Sequence, residues 1–506
     1  MSDVALHLDG RGALHAQCYR ALREAIEAGR LPPNGRLPPS RQLAEGLGVS
    51  RPVVVRAYDQ LQAEGYLEAR VGSGTYVARE LPERLLRAPR PRRHTAPRAP
   101  RWDGIVRNSG GEPLDVARLP ARVERGVVDF RYGAPAREFP LSVWRRLITA
   151  QLRTPKRELL SYGDAAGHGP LRRAIASHLA QYRAVRCSWE QVVIVSGSQQ
   201  ALSLSARLLL GPHTTAVLEE PHYQGARHVF AATGAGLLGV PVGEDGLEVD
   251  HLPARGVRLV YVTPSHQFPT GTILPVARRL RLLEWATQAD AYIVEDDYDS
   301  EYRYDAQPLP AMQGLDRDGR VIYVGTFSKV MFPALRIAYA VVPEHMVEAF
   351  VSAKWLADRQ CATLEQAALT AFIADGHLVR HLRRARRAIA RRRQVLLEEI
   401  QRHLGQRVHL GGASAGLHAV LWLDGLEEQD VAGLVERARH AGVNVYSIAP
   451  YYLGTPARAG LLVGYGHLSE STIRNGVRRL AAAIGSLGTP GVTGQQPGAG
   501  RHLPPD

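Results

Sequence analysis

The sequence predicts two folded domains: an N-terminal winged helix–turn–helix, mostly α with a β-wing, and a larger α/β domain that ends in a smaller C-terminal α+β subdomain. Residues 12–79 hold three helical patterns followed by two short strand-like runs. From residue 127 onward, apolar strand-like runs alternate with helical patterns, which is typical of a mainly parallel sheet with crossover helices. A chain of 506 residues is long enough for both domains.

The N-terminal elements are read from apolar spacing and from capping residues. Apolar positions recur at helical spacing from Leu14 to Ile26, and Gly29 ends the first helix. Ser40 is a suitable N-cap for a second helix in RQLAEGLG, and Ser50 for a third in RPVVVRAYDQLQAEG. The run YLEARVGSGTYVA then predicts two strands joined by a glycine-rich turn.

The remaining chain divides by composition. Residues 80–126 are rich in Arg and Pro without apolar periodicity, which predicts a stiff, charged linker; a solvated tether and a DNA-contacting arm both stay open. Residues 127–487 form the α/β domain, with strands predicted in QVVIVSG, TTAVLEEP, VRLVYVTP, AYIVEDDY and RVIYVGTFS. From about residue 408, VHLGGASAGLHAVLWL begins the smaller subdomain. The Gly/Pro-rich residues 488–506 predict a disordered tail.

Charge and composition narrow the class of protein. The net charge of +14 favours a polyanionic partner, although a coding bias explains part of it, since the chain has sixty arginines and three lysines. The sequence shows neither a membrane-length apolar run nor a signal-peptide pattern, so we expect a cytoplasmic protein. The cysteines Cys18, Cys187 and Cys361 lie far apart without metal-ligand spacing, so we expect reduced thiols and no metal site.

The third helix is the candidate for reading DNA. In a helix–turn–helix the second helix of the pair enters the major groove, and arginine there can bind guanine through two hydrogen bonds. A helix N-terminus suits a phosphate, and wing glycines allow close approach to the minor groove. The candidate DNA contacts are therefore Arg41, Ser50, Arg51, Arg56, Gly72 and Gly74. The alternative is a helical protein–protein module with a basic face.

Reactive and polar residues stand at the ends of the predicted strands. Lys329 follows the run VIYVGTFS, and Asp296 ends AYIVEDDY, where open α/β sheets bind ligands. Pyridoxal phosphate needs a lysine for its aldehyde and a carboxylate for its ring nitrogen, with Tyr298 within reach of the ring oxygen and Tyr223 able to stack. The candidate phosphate ligands are Ser198, Gln199, Thr326, Ser328 and Arg336. Taken singly, these motifs are more often a helix cap or a solvated strand end.

These motifs together resemble a known regulator family. GRLPPSRQLAEGLGVSRPVVVRAYDQLQAEGYLEARVGSGTYVA resembles the winged helices of the GntR family, while SHQFPTG, EDDYDSEYRYD, GTFSK and PALRIAY are similar to the MocR subfamily. In that subfamily a GntR-type domain is fused to a fold-type I, pyridoxal-phosphate-dependent aminotransferase-like domain. The resemblance implies a covalent link at Lys329 and a homodimer that shares the site. It also implies double-stranded operator DNA as partner and leaves a small amino compound open as effector.

Two departures from aminotransferases qualify the resemblance. Phe268 stands before the PTG turn, where many aminotransferases have an asparagine on the cofactor's ring oxygen. Leu462 stands where a carboxylate-binding arginine is expected, and Arg458, four residues earlier, is a candidate substitute. Phe268 weakens the case for efficient transamination without affecting the case for cofactor binding. Leu462 puts an amino-acid effector in doubt and makes pyridoxal phosphate itself a candidate signal.

Three functional hypotheses follow. The first is a transcription regulator whose operator binding responds to cofactor or amino-compound binding, with a residual aminotransferase half-reaction left open. The second is an active aminotransferase with an accessory DNA-binding domain, and the third is a DNA-binding scaffold whose large domain only dimerises. The arginine-rich run HLRRARRAIARRR is interpreted as the solvated face of a long helix, because Leu382, Ala385, Ile389 and Ala390 give it an apolar stripe.

Overall fold

The computed structural model describes residues 6–70, 72–81, 126–133, 138–153, 157–304 and 309–485. The chain separates into two compact units, Met1–Arg101 and Trp102–Asp506. Residues 82–125, most of the predicted linker, and the predicted tail at 488–506 lie outside the described residues.

The N-terminal unit is a three-helix core with a β-hairpin. Leu22, Ile26, Val54 and Leu61 are almost completely buried and pack together with Val77 of the hairpin. The elements are α1 (Leu14–Glu27), α2 (Ser40–Leu47), α3 (Arg51–Ala63), β1 (Leu67–Arg70) and β2 (Gly74–Val77), with β1 and β2 antiparallel. The predicted winged helix–turn–helix is therefore confirmed.

The capping of α2 differs from the prediction. Ser40 lies inside the first turn, and Pro39, in an extended conformation, occupies the N-cap. Proline has no amide hydrogen and a fixed φ, so it suits the residue at which a chain enters a helix. The Ser40 hydroxyl instead accepts a hydrogen bond from Arg51 Nε at 3.3 Å. Ser50 occupies the N-cap of α3 as predicted, without a side-chain capping bond.

The large unit is built on an eight-stranded sheet. Its strands lie in the order β4-β11-β10-β9-β8-β5-β6-β7, and the central pairs β10–β9, β9–β8, β8–β5 and β5–β6 are parallel. β11 runs antiparallel to both of its neighbours. After β3 (Val128–Asp129), the strands are β4 (Val192–Val195), β5 (Thr215–Glu220), β6 (Gly236–Gly243), β7 (Gly246–Leu247), β8 (Val257–Val262), β9 (Tyr292–Asp297), β10 (Val321–Thr326) and β11 (Ala338–Val341).

Helices cover both faces of this sheet, which explains the uninterrupted apolar runs of its strands. In β9 the neighbours Ile293 and Val294 point into different hydrophobic clusters, because successive side chains alternate across a strand. The helices of this unit are α4 (Leu141–Arg153), α5 (Gly169–Arg183), α6 (Ser198–Leu209), α7 (Gln224–Ala231), α8 (Val276–Gln288), α9 (Val347–Asp358), α10 (Thr363–Ala374), α11 (His377–His403), α12 (Glu428–His440) and α13 (Glu470–Gly485).

The C-terminal subdomain is a four-stranded antiparallel sheet with helices, as predicted. The sheet has the order β12-β13-β16-β15, and the short β14 pairs in parallel with β3 from the start of the unit. The strands are β12 (Val408–Gly411), β13 (His418–Leu423), β14 (Val443–Asn444), β15 (Tyr446–Ser447) and β16 (Gly460–Gly464). The arginine-rich helix α11 buries Leu382, Ala385 and Ile389, as predicted, whereas Ala390 is half-buried and Ala388 is buried instead.

The parallel register sets the position of the candidate site. Asp296 of β9 pairs with Val324 of β10, so the carboxyl ends of the two strands meet at one edge. β4 ends at the same edge, where Val195 pairs with Ala338 of β11. The loops that leave these strands therefore converge. Among the described helices, none has the length and apolar character that a bilayer crossing requires.

Candidate functional site

A cavity of about 170 Å³ lies at this edge of the sheet. It brings together all nine residues that the sequence nominated for cofactor binding: Ser198, Gln199, Tyr223, Asp296, Tyr298, Thr326, Ser328, Lys329 and Arg336. Its wall also includes Tyr132, Tyr261, Phe268 and Pro333. The sequence offered no signal for Tyr132, because tertiary folding alone carries the segment after β3 to this edge.

The Lys329 amine lies against Tyr132 and Gly133. Its Nζ sits 4.3 Å from the centre of the Tyr132 ring. Gly133 has φ +86°, which favours glycine, and a Cβ there would stand 2.7 Å from Nζ and displace the amine. Burial lowers the pKa of Lys329 to about 8, against the opposing effect of Asp299 and Asp296. The neutral form of the amine is therefore more populated near physiological pH than in an ordinary lysine.

Asp296 keeps one carboxylate oxygen without a partner. Its Oδ2 accepts a hydrogen bond from the Tyr261 hydroxyl at 2.8 Å. Its Oδ1 is buried and has no hydrogen-bond partner among the described residues. Burial raises the pKa of Asp296 to about 7, although the Tyr261 bond acts in the other direction. An unpaired buried carboxylate oxygen is costly, so this atom fits a ligand that carries a proton on nitrogen.

Tyr298 lines the cavity, but its hydroxyl is already engaged. It donates to the backbone oxygen of His266 at 2.8 Å and lies 3.1 Å from His266 Nδ1. A hydroxyl has one proton, so a hydrogen bond donated to a cofactor oxygen would require it to turn away from that carbonyl. The sequence placed Tyr298 near the ring oxygen and could not foresee this competing acceptor.

A buried polar cluster lies behind Tyr298. Both nitrogens of His266 face acceptors, the Asp299 carboxylate at 3.1 Å and Gly412 O at 3.3 Å. Burial opposes the charge of His266, but the Asp299 carboxylate and the bond to Gly412 O together raise its pKa. His418 Nε2 lies 3.1 Å from Pro269 O, while burial holds the pKa of His418 well below its usual range. Ligand-type atoms of His266, Asp299 and His418 lie within 4.8 Å of one another, a grouping that the sequence analysis missed.

The opposite end of the cavity is suited to an anion. The Ser196–Gly197 turn joins β4 to α6, so the first amides of α6, at Ser198 and Gln199, are available there. Arg336 Nη2 donates to Ser196 O at 2.6 Å. Gly197 has φ +99°, and a Cβ at this position would stand 2.6 Å from Arg336 Nη2. The backbone conformation therefore favours glycine here, and a side chain at this position would displace the arginine.

Aromatic rings form the wall between these two ends. The rings of Tyr223 and Phe268 meet edge-on, with centroids 5.9 Å apart. Phe268 also lies 5.1 Å from Tyr132 and 5.2 Å from Tyr451. Phe268 therefore supplies an apolar surface where an asparagine would supply an amide.

The expected substitute for the missing arginine lies elsewhere. Leu462 is buried in β16. Arg458 sits over the Trp422 ring at 5.1 Å and 3.7 Å from Asp424, and it lines a separate cavity of about 840 Å³. Arg336 is the arginine that lines the Lys329 cavity among the described residues. Arg458 therefore does not occupy the position of a carboxylate clamp.

The candidate DNA-contacting residues lie on the surface of the N-terminal unit. Arg41, Arg51 and Arg56 are exposed on α2 and α3. In the wing, Gly72 has φ +75° and Gly74 has φ +114°. Sequence reasoning missed two arginines beside the wing. A Cβ on Gly74 would lie 3.2 Å from Arg36 Nε, and the Arg70 guanidinium stacks on Tyr76 at 4.4 Å.

Comparison with known proteins matches both units. Residues 14–77 match the family of bacterial regulatory proteins called gntR, and residues 126–480 match aminotransferase class I and II. The probable rhizopine catabolism regulatory protein MocR of Rhizobium meliloti is 39% identical, over 97% of each chain. The pyridoxine biosynthesis regulator PdxR of Corynebacterium glutamicum is 33% identical, over 96% of this chain and 99% of PdxR.

Solved structures match the large unit. Pyrococcus horikoshii kynurenine aminotransferase, solved in complex with PMP, superposes with a TM-score of 0.67 at 28% identity, covering 72% of this chain and 92% of that one. The predicted fold-type I aminotransferase-like architecture is thus confirmed. The chain belongs to the MocR-type transcription regulators of the GntR family, in which a DNA-binding winged helix precedes an aminotransferase class I and II domain.

Proposed function

We propose that the Lys329 cavity binds pyridoxal 5'-phosphate and that its occupancy modulates operator binding by the winged helix. The observation that carries the proposal is the unpaired Oδ1 of Asp296 in the same cavity as the Lys329 amine. When bound, pyridoxal phosphate supplies an aldehyde that condenses with an amine and a ring whose protonated nitrogen acts as an electron sink. Lys329 would hold the aldehyde carbon, and Asp296 would hold the ring nitrogen.

The remaining lining residues fit the rest of the cofactor. Arg336, Thr326, Ser328 and the first amides of α6 offer donors for a phosphate. Tyr223 and Phe268 offer ring surfaces for stacking. The names of relatives point the same way, because one is a regulator of pyridoxine biosynthesis and one structural neighbour was solved with PMP.

A regulatory role is favoured over an active aminotransferase. Relatives named as regulators match this chain along almost their whole length, whereas the kynurenine aminotransferase covers only the large unit. The cavity also has Phe268 in place of an amide and no arginine, apart from Arg336, among its described lining residues. Cofactor alone and an amino compound both remain candidate signals, and a coupling of ~1–3 kcal/mol between cofactor and operator sites would suffice for regulation.

We propose that α3 and the wing contact double-stranded operator DNA. Arg51 and Arg56, exposed on α3, would read bases, while Arg41 and the α3 N-terminus at Ser50 would contact phosphates. Gly72 and Gly74 would let the wing backbone approach the minor groove. Arg36 and Arg70, beside these glycines, add positive charge at the wing.

We also propose that a second copy of the chain covers an exposed aromatic patch, defined by Leu160, Tyr162, Trp355 and Leu356. These side chains are 74%, 81%, 50% and 70% exposed. Arg359 lies 5.1 Å from both the Tyr162 and Trp355 rings, which joins the two segments into one surface. An apolar surface of this kind indicates a protein–protein interface, and a homodimer would bury it.

Replacing Lys329 tests cofactor binding directly. Lys329→Ala should abolish the visible absorbance that wild-type protein gains with pyridoxal phosphate near neutral pH, because no other lysine lines the cavity among the described residues. Lys156→Arg is the matched control and should keep the band. Identical spectra for wild type and Lys329→Ala would contradict the proposal.

The pH dependence of cofactor uptake follows from the pKa of Lys329. Only the neutral amine condenses with an aldehyde, and each pH unit below the pKa reduces its fraction about tenfold. The rate at which the visible band appears should therefore rise with pH and level off above about pH 8, not near the ordinary lysine value of 10.5. Stopped-flow absorbance measures this profile, and a rise that continues past pH 10 would exclude a buried amine as the acceptor.

Arg51→Ala tests the DNA-reading helix. If Arg51 reads a guanine, the free energy of operator binding should weaken by ~1–3 kcal/mol at fixed salt. The salt dependence of binding should change little. A phosphate contact would instead reduce by about one the slope of the logarithm of the binding constant against the logarithm of the salt concentration. Arg20→Ala is the control, because Arg20 lies on α1, outside α3 and the wing, and pairs with Asp9 at 2.7 Å. Unchanged affinity in footprint titrations would remove Arg51 from the base-reading set.

Leu356→Arg tests the aromatic patch. A buried charge at a dimer interface is unfavourable, so this variant should shift the chain toward monomer in sedimentation experiments. Leu280→Arg is a matched control, since Leu280 is 49% exposed on α8, outside the patch. Equal dimer content in wild type and Leu356→Arg would place the interface elsewhere.

A further inference from the structure

The Ser196–Gly197 turn at the anion end of the cavity is held from two sides. Arg336 Nη2 donates to the Ser196 carbonyl at 2.6 Å. On the other side, the Ser196 amide donates to Gln200 Oε1 at 2.8 Å. The first bond comes from a residue that lines the cavity, whereas the second begins a chain of contacts that leads away from it.

That chain of contacts ends at a buried lysine. Gln200 Nε2 donates to Asp358 Oδ2 at 2.9 Å, and Lys354 Nζ donates to Asp358 Oδ1 at 2.5 Å. Lys354 is fully buried, while the Asp358 side chain is 27% exposed. Lys354 and Asp358 are one turn apart near the C-terminal end of α9, outside the residues that line the cavity.

The direction of these bonds fixes the orientation of Gln200. A glutamine amide has one accepting and one donating end, and a carboxylate can only accept. Asp358 therefore requires Nε2 to face it, which leaves Oε1 facing the Ser196 amide. Without Asp358, nothing in this chain of contacts would stop the amide from turning its donor toward another donor.

We propose that Asp358, held in place by Lys354, is a positioning residue for cofactor phosphate. Through Gln200 it fixes the Ser196–Gly197 turn, and the turn sets the first amides of α6 and the Arg336 guanidinium around the anion. The inference rests on the proposed function. It adds that affinity for the phosphate depends on Asp358. The contacts to the cofactor ring, at Lys329 and Asp296, do not depend on it.

A pair of probes separates the two ends of the cofactor. Pyridoxal has the same ring and aldehyde as pyridoxal phosphate and lacks the phosphate. In absorbance titrations of the full-length protein, Asp358→Ala should raise the Kd for pyridoxal phosphate about tenfold, the scale on which outer partners of ligating residues act. Its Kd for pyridoxal should stay within about twofold of the wild-type value, since the ring contacts are unaltered.

Three further variants separate the positioning role of Asp358 from a general loss of stability. Asp358→Ala leaves a buried ammonium unpaired, so we expect it to lower the stability of the protein. The double variant Lys354→Met with Asp358→Leu removes both charges and should give the same phosphate-selective loss, as should Gln200→Ala. Asp375→Ala, at an exposed aspartate that follows α10, is the control and should bind both probes like wild type.

The outcomes distinguish this inference from the proposed function. No binding of pyridoxal phosphate by the wild type would overturn both. If the wild type binds, equal weakening of both probes in the double variant and in Gln200→Ala would show general loosening of the cavity, and the positioning role would be wrong. Wild-type affinity for pyridoxal phosphate in those two variants would also overturn it.

Discussion

The candidate site depends on one constraint, the parallel register of β9 and β10. This register places the carboxyl ends of the two strands side by side, so that Asp296 and the loop carrying Lys329 face one cavity. Had β10 run in the opposite direction, its carboxyl end would lie at the far edge of the sheet. The antiparallel β11 begins beside the end of β4, so Arg336, two residues before β11, lies at the Ser196–Gly197 turn. A ligand with a basic ring nitrogen at one end and an anion at the other fits this arrangement.

Burial gives these groups their chemistry. It lowers the pKa of Lys329 to about 8 and raises the pKa of Asp296 to about 7, so both groups change protonation state near neutral pH. A cavity with such groups and an unpaired oxygen costs folding free energy, which a bound ligand can offset. Ligand binding of this kind can stabilise one state of a protein relative to another, as a sensing domain requires.

The sequence by itself determined the family, the helices and strands, and the residues of the candidate site. The apolar patterns located the winged helix and the strands of the large sheet, because burial on one or both faces imposes the period. All nine nominated residues lie in one cavity, since most of them stood close to a strand end or a helix start, where sheet topology leaves little choice of position. Ser40 was misassigned as a cap because the preceding proline, Pro39, can occupy the same position.

The tertiary structure decided which residues far apart in sequence come into contact, and no local sequence pattern contains that information. Tyr132 and Gly133 reach Lys329 from a segment almost two hundred residues earlier, and β3 holds that segment against the C-terminal subdomain. Arg458, near Leu462 in sequence, points into a different cavity. The support of Gln200 by Asp358 also joins distant segments. Periodicity and capping report a residue's immediate neighbours, whereas contacts of this kind exist only after helices and strands have packed.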